Sequence, residues 1–254
     1  MRKASVIFIK QKSRSKKNIM SSTPLVSAIV PCYNHGRFIG ETIRSIQCQT
    51  FAAIEIIVVD DGSTDAETRQ VLENIKEMGI LVIRQENSKT AVARNTGFNH
   101  ASGDYLLTVD ADDLIAPTFV EKAMSVLERY PKIGAVSSWV RCFGSQNYNW
   151  MPTGGGVQNF VLDINCSSFA LIRRALWSNN GGFDSGMVNG YEDWEFWVNA
   201  TKKGWIIHIL KEFLFFYRHR FATRAGEAIA NRTAILRYMS SKHPEVFLGK
   251  SIGR

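Results

Sequence analysis

The sequence predicts an α/β fold in which a mostly parallel central sheet carries helices on both faces. Three observations point there. Strand-like and helix-like segments alternate through the first half of the chain, the pattern of linked βαβ units. The segment "AIEIIVVD" (53–60) is nearly continuously apolar, as a strand covered on both sides must be. Three strands also run into polar sequence, "PCYN" (31–34), "DDGSTD" (60–65) and "DADD" (110–113). In an open parallel sheet, ligands bind beyond those carboxyl ends.

Taken in order, "LVSAIVP" (25–31) reads as a strand stopped by Pro31, and "RFIGETIRSIQCQ" as a helix with Phe38, Ile39, Ile43 and Ile46 on one face. After the strand 53–60, Thr64 and Glu67 have the spacing of a capping box. Val71, Leu72, Ile75 and Met78 form the expected buried stripe of the next helix. "ILVIR" (80–84) is a third strand, "AVARNTGFNHA" a third helix and "DYLLTVD" a fourth strand; Gly103 before it reads as a turn residue. Pro117 opens a helix that buries Phe119, Ala123, Leu127 and Tyr130. Beyond it, "SQNYNWMPTGGGVQN" (145–159) reads as a long functional loop. There follow "SSFALIRR", the turn "NNGGFD", a Trp-rich helix near 192–203, the strand "WIIHIL", "FLFFYRHR" and a last helix. Trp194, Trp197 and Val198 recur at helical spacing and read as core.

The net charge of +8 belongs to one end. Residues 1–20 hold seven of the 31 Lys and Arg and no acid, which leaves 24 basic against 23 acidic residues. A near-neutral domain argues against nucleic acid as a partner. The expected organisation is a basic, disordered tail (1–23), with Met20 an alternative start, and a single domain over 24–254. Within it, three parts are expected: 24–115, 116–220 and a helical segment over 221–254. The tail lacks the apolar run of a signal peptide and suits contact with anionic lipid. No window approaches the roughly 20 apolar residues of a membrane span. Cys32, Cys48, Cys142 and Cys166 are scattered, as packed thiols in a reducing compartment are. The expected location is the cytoplasm, with peripheral contact at the inner face of the membrane.

The strand "YLLTVDADDLIAP" crowds Asp110, Asp112 and Asp113 at its end, where like charges repel and burial is costly. Asp60 and Asp61 should lie on the same rim. Hard oxygen ligands gathered there favour Mg²⁺ or Mn²⁺, and such a cation suits a phosphate-bearing substrate. "DDGSTD" alone is also a good turn and helix cap, and "DADD" alone a solvated loop; their pairing at successive strand ends is what points to a site.

"IVPCYNHGRFI", "IIVVDDGSTD", "ARNTGFNHASGDYLLTVDADD", "GGFD" and "YEDWEFW" together resemble, in order and spacing, the family 2 glycosyltransferases of GT-A fold, over roughly residues 25–220. This resemblance implies a Rossmann-like nucleotide-diphospho-sugar transferase that moves a hexose from a nucleoside diphosphate sugar, UDP-linked in the first instance, with inversion. It implies a role in polysaccharide or cell-envelope synthesis. Carried over to this chain, Pro31, Tyr33 and Asn34 would line the nucleotide pocket, with Tyr33 stacking on the base. Asp60 would accept from a base N–H with Asp61 beside it. Arg94 would hold nucleotide or sugar, and Asn95 would fix the loop. Asp110, Ala111 and Asp112 form the D-x-D element; Asp110 would touch ribose or metal and Asp112 would ligate the metal. His219, in "YRHR", would complete the metal shell. Asp193 would be the catalytic base with Glu192 in support, both also suited to a helix N-terminus. Gly182, Phe183 and Asp184 would lie beneath donor and acceptor, with Trp150 and Tyr148 of the 145–159 loop contacting a saccharide or lipid-linked acceptor. Relatives commonly carry Asn-x-Gly where this chain has Asn87, Ser88 and Lys89; the lysine either reaches the diphosphate or marks a differently folded loop.

Two other classes compete. A non-catalytic nucleotide-sugar-binding or scaffolding protein is disfavoured by the joint presence of Asp110, Asp112 and Asp193. A nucleotidyltransferase needs a Gly-rich, Lys/Arg-containing loop after the first strand, which "PCYNHGRF" does not supply.

Overall fold

The computed structural model describes residues 25–161, 163–188, 190–220 and 231–247. The expected basic tail (1–23) lies outside the described residues. Eight strands run in the order β3-β2-β1-β4-β8-β6-β9-β5, and β7 pairs with β6. The strands are β1 (Val26–Cys32), β2 (Ile54–Asp60), β3 (Leu81–Arg84), β4 (Tyr105–Thr108), β5 (Leu114–Ile115), β6 (Ile133–Gly144), β7 (Tyr148–Trp150), β8 (Leu171–Arg173) and β9 (Ile206–His219). The helices are α1 (Gly36–Gln47), α2 (Ala66–Glu77), α3 (Lys89–His100), α4 (Phe119–Arg129), α5 (Arg174–Asn180), α6 (Glu192–Lys202), α7 (Arg232–Lys242) and α8 (Pro244–Phe247).

β3, β2, β1 and β4 are mutually parallel, as their helical crossovers require. β8 enters antiparallel between β4 and β6, and the longest ladder, β6 with β9, is again parallel. Period-2 alternation divides the core between the two faces. Val26, Ala28 and Val30 of β1 pack with Ile39, Ile43 and Ile46 of α1, Leu72 of α2, and Phe119 and Leu127 of α4. Ile29 of the same strand packs on the other face with Ala91, Ala93 and Phe98 of α3 and with Trp194, Phe196 and Trp197 of α6. The two tryptophans of α6 are fully buried, as their spacing predicts. Among the described residues no helix is long and apolar enough to cross a membrane.

Several local readings need correction. Pro31 does not stop β1; it sits inside the strand, opposite Val59. The cap of α2 is Asp65, which accepts from Thr68 N at 2.6 Å, so the cap falls one residue after Thr64, and the Asp65 N–H goes to Asn34 rather than to a reciprocal box partner. Met78 ends that helix 67% exposed, because the chain has already turned at Gly79 (φ +86°) towards β3. Tyr130, just past α4, is likewise exposed rather than buried. Part of 145–159 is ordered: β7 pairs Trp150 with Val140, and Gly155 bridges to Ile207. "WIIHIL" and "FLFFYRHR" are one strand, broken in register rather than in direction.

α3 owes its close approach to the sheet to Gly97. A Cβ there would lie 2.4 Å from Ile29 Cγ2 and 3.2 Å from Val59 Cγ2. Gly97→Ala gains about 1 kcal/mol of helix propensity but overpacks a buried contact, at a cost of about 1–3 kcal/mol. The variant is therefore expected to lower the urea midpoint with an unchanged slope; a raised midpoint would mean that α3 retreats freely.

Candidate active site

β1 lies between β2 and β4, so the polar ends of all three open on one rim. Three backbones there are left-handed at non-glycine residues: Asn34 (φ +56°), Lys89 (φ +73°) and Tyr191 (φ +58°). Such conformations cost energy and persist where the surroundings hold them. Asn34 is held by its own side chain, which accepts from Thr64 N (2.8 Å) and Asp65 N (3.2 Å) and so ties the end of β1 to the "DDGSTD" turn. Tyr33 beside it is 42% exposed on the rim.

The Asp60 and Asp61 carboxylates face inward to their own loops. Asp60 accepts from Ser63 N at 2.8 Å and meets Arg84 at 3.3 Å. Asp61 accepts from Ser88 N (2.8 Å), Lys89 N (2.9 Å) and Gln85 Nε2 (2.7 Å). These bonds hold the loop that enters α3 and fix Lys89 in the conformation that glycine adopts most easily. The backbone is thus the one the glycine pattern implies, with a different side chain on it.

The centre of the site is Arg94 of α3, 2% exposed. Its Nη2 donates to both oxygens of Asp110 (2.8 and 3.1 Å) and to Ser168 Oγ (3.0 Å), and its Nη1 to Glu192 Oε1 (2.7 Å). Burial alone would lower the guanidinium pKa; Asp110 and Glu192 outweigh it and raise it. Asp193, next to Glu192, is pushed up to about 7, first by burial and then by the Glu192 charge. Tyr191 holds both acids at the start of α6, where helix N–H groups favour anions. The turn before them is fixed by Asn95, which accepts from Phe183 N and donates to Phe183 O, each at 2.8 Å, as its place in "ARN" suggests.

The other two carboxylates of "DADD" are neutralised differently. Asp112 faces His35 Nδ1 at 3.7 Å and Arg220 Nε at 3.0 Å. Burial pushes its carboxyl up, and His35 pulls it back. Asp113 accepts from Arg218 N at 2.8 Å; burial, then the Asp112 and Asp110 charges, push it well above the usual carboxylate range. Thr42 Oγ1 of α1 lies within 3.0 Å of the Ala111 and Asp113 carbonyls and holds the loop to the core.

Several expected contacts are relocated. Ala111 is fully buried in the core, so only its carbonyl is held at the loop. Pro31, within β1, is buried and offers no surface to a nucleotide. Phe183 stacks on Phe196 at 4.3 Å and belongs to the core. Asp184 binds Lys242 (2.6 Å) and Tyr238 (2.8 Å), tying α7 to the "GGFD" turn, and Gly182 abuts Asn95. Trp150 packs against the core from β7, whereas Tyr148 is exposed. His219 does not join Asp110 and Asp112: its Nδ1 bonds Ser145 Oγ at 2.8 Å, because strand alternation points Arg218 and Arg220 at the acids and His219 away. His35, Thr42, Ser168 and Arg220 escaped the sequence reading. The alternation in "YRHR" was the available signal for Arg220.

Among the described residues, no three His, Cys, Asp or Glu side chains are gathered to hold a metal alone. Asp110 and Asp112 can supply one or two hard oxygen ligands to a cation shared with a diphosphate, the arrangement Mg²⁺ commonly adopts. His35 Nδ1 and Arg220 Nε, both facing Asp112, are buried without a hydrogen-bond acceptor. That incomplete polar matching fits a site built for a further charged group.

Residues 27–189 match the family described as Glycosyl transferase family 2. The chain is 40% identical over 116 residues to glycosyltransferase GlyA of Streptococcus pneumoniae, covering 45% of this chain and 16% of that protein. It is 25% identical to chondroitin synthase of Escherichia coli, covering 80% and 30%, and 28% identical to the putative glycosyltransferase EpsE of Bacillus subtilis, covering 77% and 73%. The chain therefore spans well under half the length of the first two relatives. Among solved structures, Staphylococcus aureus TarS (1–349) in complex with UDP-GlcNAc superposes with a TM-score of 0.72 at 22% identity, covering 86% of this chain and 66% of that one. Mannosyltransferase PcManGT from Pyrobaculum calidifontis, in complex with GDP-Man and Mn²⁺, gives 0.66 at 22%, covering 91% and 66%. Both share the mixed α/β architecture.

Lys89→Gly relieves a left-handed strain of about 1–2 kcal/mol and adds about 0.5–1 kcal/mol of unfolded-state entropy. A net gain of about 0.5–1 kcal/mol is expected in urea denaturation; a loss would reveal a compensating contact of the lysine side chain.

Proposed function

The chain belongs to glycosyl transferase family 2, and on that footing we propose that this glycosyltransferase is metal-dependent and inverting, and takes its sugar from a UDP-linked donor. The acceptor is the hydroxyl of a saccharide or of a lipid-linked saccharide. The observation that carries this reading is the pairing of Asp193, a carboxylate poised near neutrality, with the Arg94 bridge to Asp110. The UDP preference is supported by the likeness to TarS solved with UDP-GlcNAc, and the metal by PcManGT solved with Mn²⁺. Asp110 and Asp112 would hold the cation, which neutralises charge on the departing diphosphate.

Asp193 takes the proton of the acceptor hydroxyl as that oxygen attacks the anomeric carbon. The bond from that carbon to the diphosphate oxygen breaks, and the nucleoside diphosphate leaves with the electron pair. A pKa of about 7 suits this task, since the base is then both available and strong enough at neutral pH. Arg94 holds Glu192 and Asp110 in place on either side of its guanidinium. Tyr33, exposed on the rim beyond β1, is the surface on which the base would stack. Tyr148 offers an acceptor contact, and the basic segment 1–20 would bring the enzyme to an anionic lipid surface.

Since only ionised Asp193 accepts a proton, kcat/KM is expected to rise with pH through about 7 and level off above it. Asp193→Asn should cut transfer by at least about a hundredfold while leaving UDP affinity within a fewfold of wild type by calorimetry. Lost UDP binding would make Asp193 a binding residue instead. Asp112→Asn should abolish the Mn²⁺ dependence of UDP binding, and unchanged dependence would remove Asp112 from the metal site.

A further inference from the structure

The two arginines at the end of β9 are held in different ways. Arg218 is 16% exposed and lies between the rings of Phe38 (4.8 Å) and Phe143 (4.6 Å). It donates to Asp112 O (2.8 Å) and Glu41 Oε2 (2.6 Å), so its guanidinium is fixed on three sides. Arg220 is 38% exposed and 6.0 Å from the same Phe38 ring. Its Nε lies 3.0 Å from Asp112 Oδ2 without the direction of a hydrogen bond, and its Nη2 is 3.0 Å from His35 Nε2. The pair has charge contact but poor hydrogen bonding, and among the described residues only His35 and the Phe38 ring restrain the guanidinium further.

We propose that Arg220 is the resident counter-ion of Asp112 and that it changes partner when the donor binds. The guanidinium leaves the carboxylate to the divalent cation and pairs with the diphosphate instead. This rests on the metal-and-nucleotide reading above and adds a residue to it. A guanidinium and a divalent cation repel at one carboxylate, so the two compete for Asp112. A planar guanidinium fork matches phosphate oxygens bidentately, so its released charge has a new partner at hand. The exchange conserves charge at every stage: Asp112 is never left buried without a cation, and the diphosphate gains one.

Calorimetry on the full chain separates the two halves of the exchange. MnCl₂ alone is titrated first, and then UDP in the presence of Mn²⁺, for wild type, Arg220→Gln and Arg220→Lys. Arg220→Gln is expected to bind Mn²⁺ alone roughly three- to tenfold more tightly, and UDP with Mn²⁺ roughly three- to tenfold more weakly, as loss of one partly exposed ion pair permits. Arg220→Lys, which keeps the charge, should stay near wild type in the first titration and fall between in the second. Opposite signs for the two ligands are the signature, since a merely structural Arg220 would weaken both or neither. Unchanged or weaker Mn²⁺ binding by Arg220→Gln, with wild type still binding UDP and Mn²⁺, overturns the exchange and spares the donor site. Wild type that binds no UDP at any Mn²⁺ concentration overturns both.

Discussion

The guanidinium of Arg94 reaches from α3, in the first half of the chain, to Asp110 at the end of β4 and to Glu192 at the start of α6. A charge with so little exposure is tolerable only when paired, and breaking such a pair by removing one partner commonly costs about 3–5 kcal/mol. Much else follows from it. α3 must lie close enough to the sheet for the side chain to reach the rim, which the small residues Ala91, Ala93 and Gly97 permit. The "GGFD" turn must sit where Asn95, one residue along, can grip it at both backbone atoms of Phe183. α6 must begin with its acids facing inward, which the left-handed Tyr191 arranges.

Three neighbouring carboxylates thereby receive three different treatments. Asp110 meets a fully buried arginine, one nitrogen of which donates to both of its oxygens. Asp113 is buried and accepts from the backbone N–H of Arg218, and burial with the neighbouring Asp112 and Asp110 charges raises its pKa, so it serves to hold the loop. Asp112 lies between them in kind, with an arginine and a histidine near but neither well bonded. The acid that would do most with a ligand is therefore the one whose protein partners are least committed, as a site that exchanges ions requires.

Strand and helix order in the first half was legible because burial imposes periodicity on both faces of a parallel sheet, and β1, β2 and α1 follow it within a residue or two. α3 is covered on most sides, from Ala91 to Phe98, so periodicity says little there, and its place between the third and fourth strands is what marked it as a helix. Single-residue choices were not legible. Thr64 and Asp65 both make caps, and tertiary context, through Asn34, engaged the first elsewhere. Trp150 read as an acceptor contact because an aromatic in a loop looks the same in sequence whether it faces a sugar or the core, and Phe183 came in with the "GGFD" motif, which does not say which way its ring turns. Arg94 and the acids at 110, 112, 192 and 193 were found as a set, but the direction in which His219 points depends on a strand irregularity that no composition encodes.

That irregularity has an evolutionary reading. Between Trp139 and Val140 the β9 partner advances from Phe213 to Phe215, so Leu214 is an extra residue and both it and Phe215 turn inward. The side chains beyond the bulge take their face from that insertion on top of the earlier shifts between Ile133 and Ala135 and between Ser138 and Trp139. Deleting a residue there would reverse the phase of "YRHR", presenting an imidazole to Asp112 and sending both guanidiniums to the far side. Whether such a rim neutralises its acids with arginine or offers them a metal-binding nitrogen is thus a matter of strand parity. One insertion or deletion, with no change in the motif itself, is enough for descendants of one fold to diverge in ion chemistry.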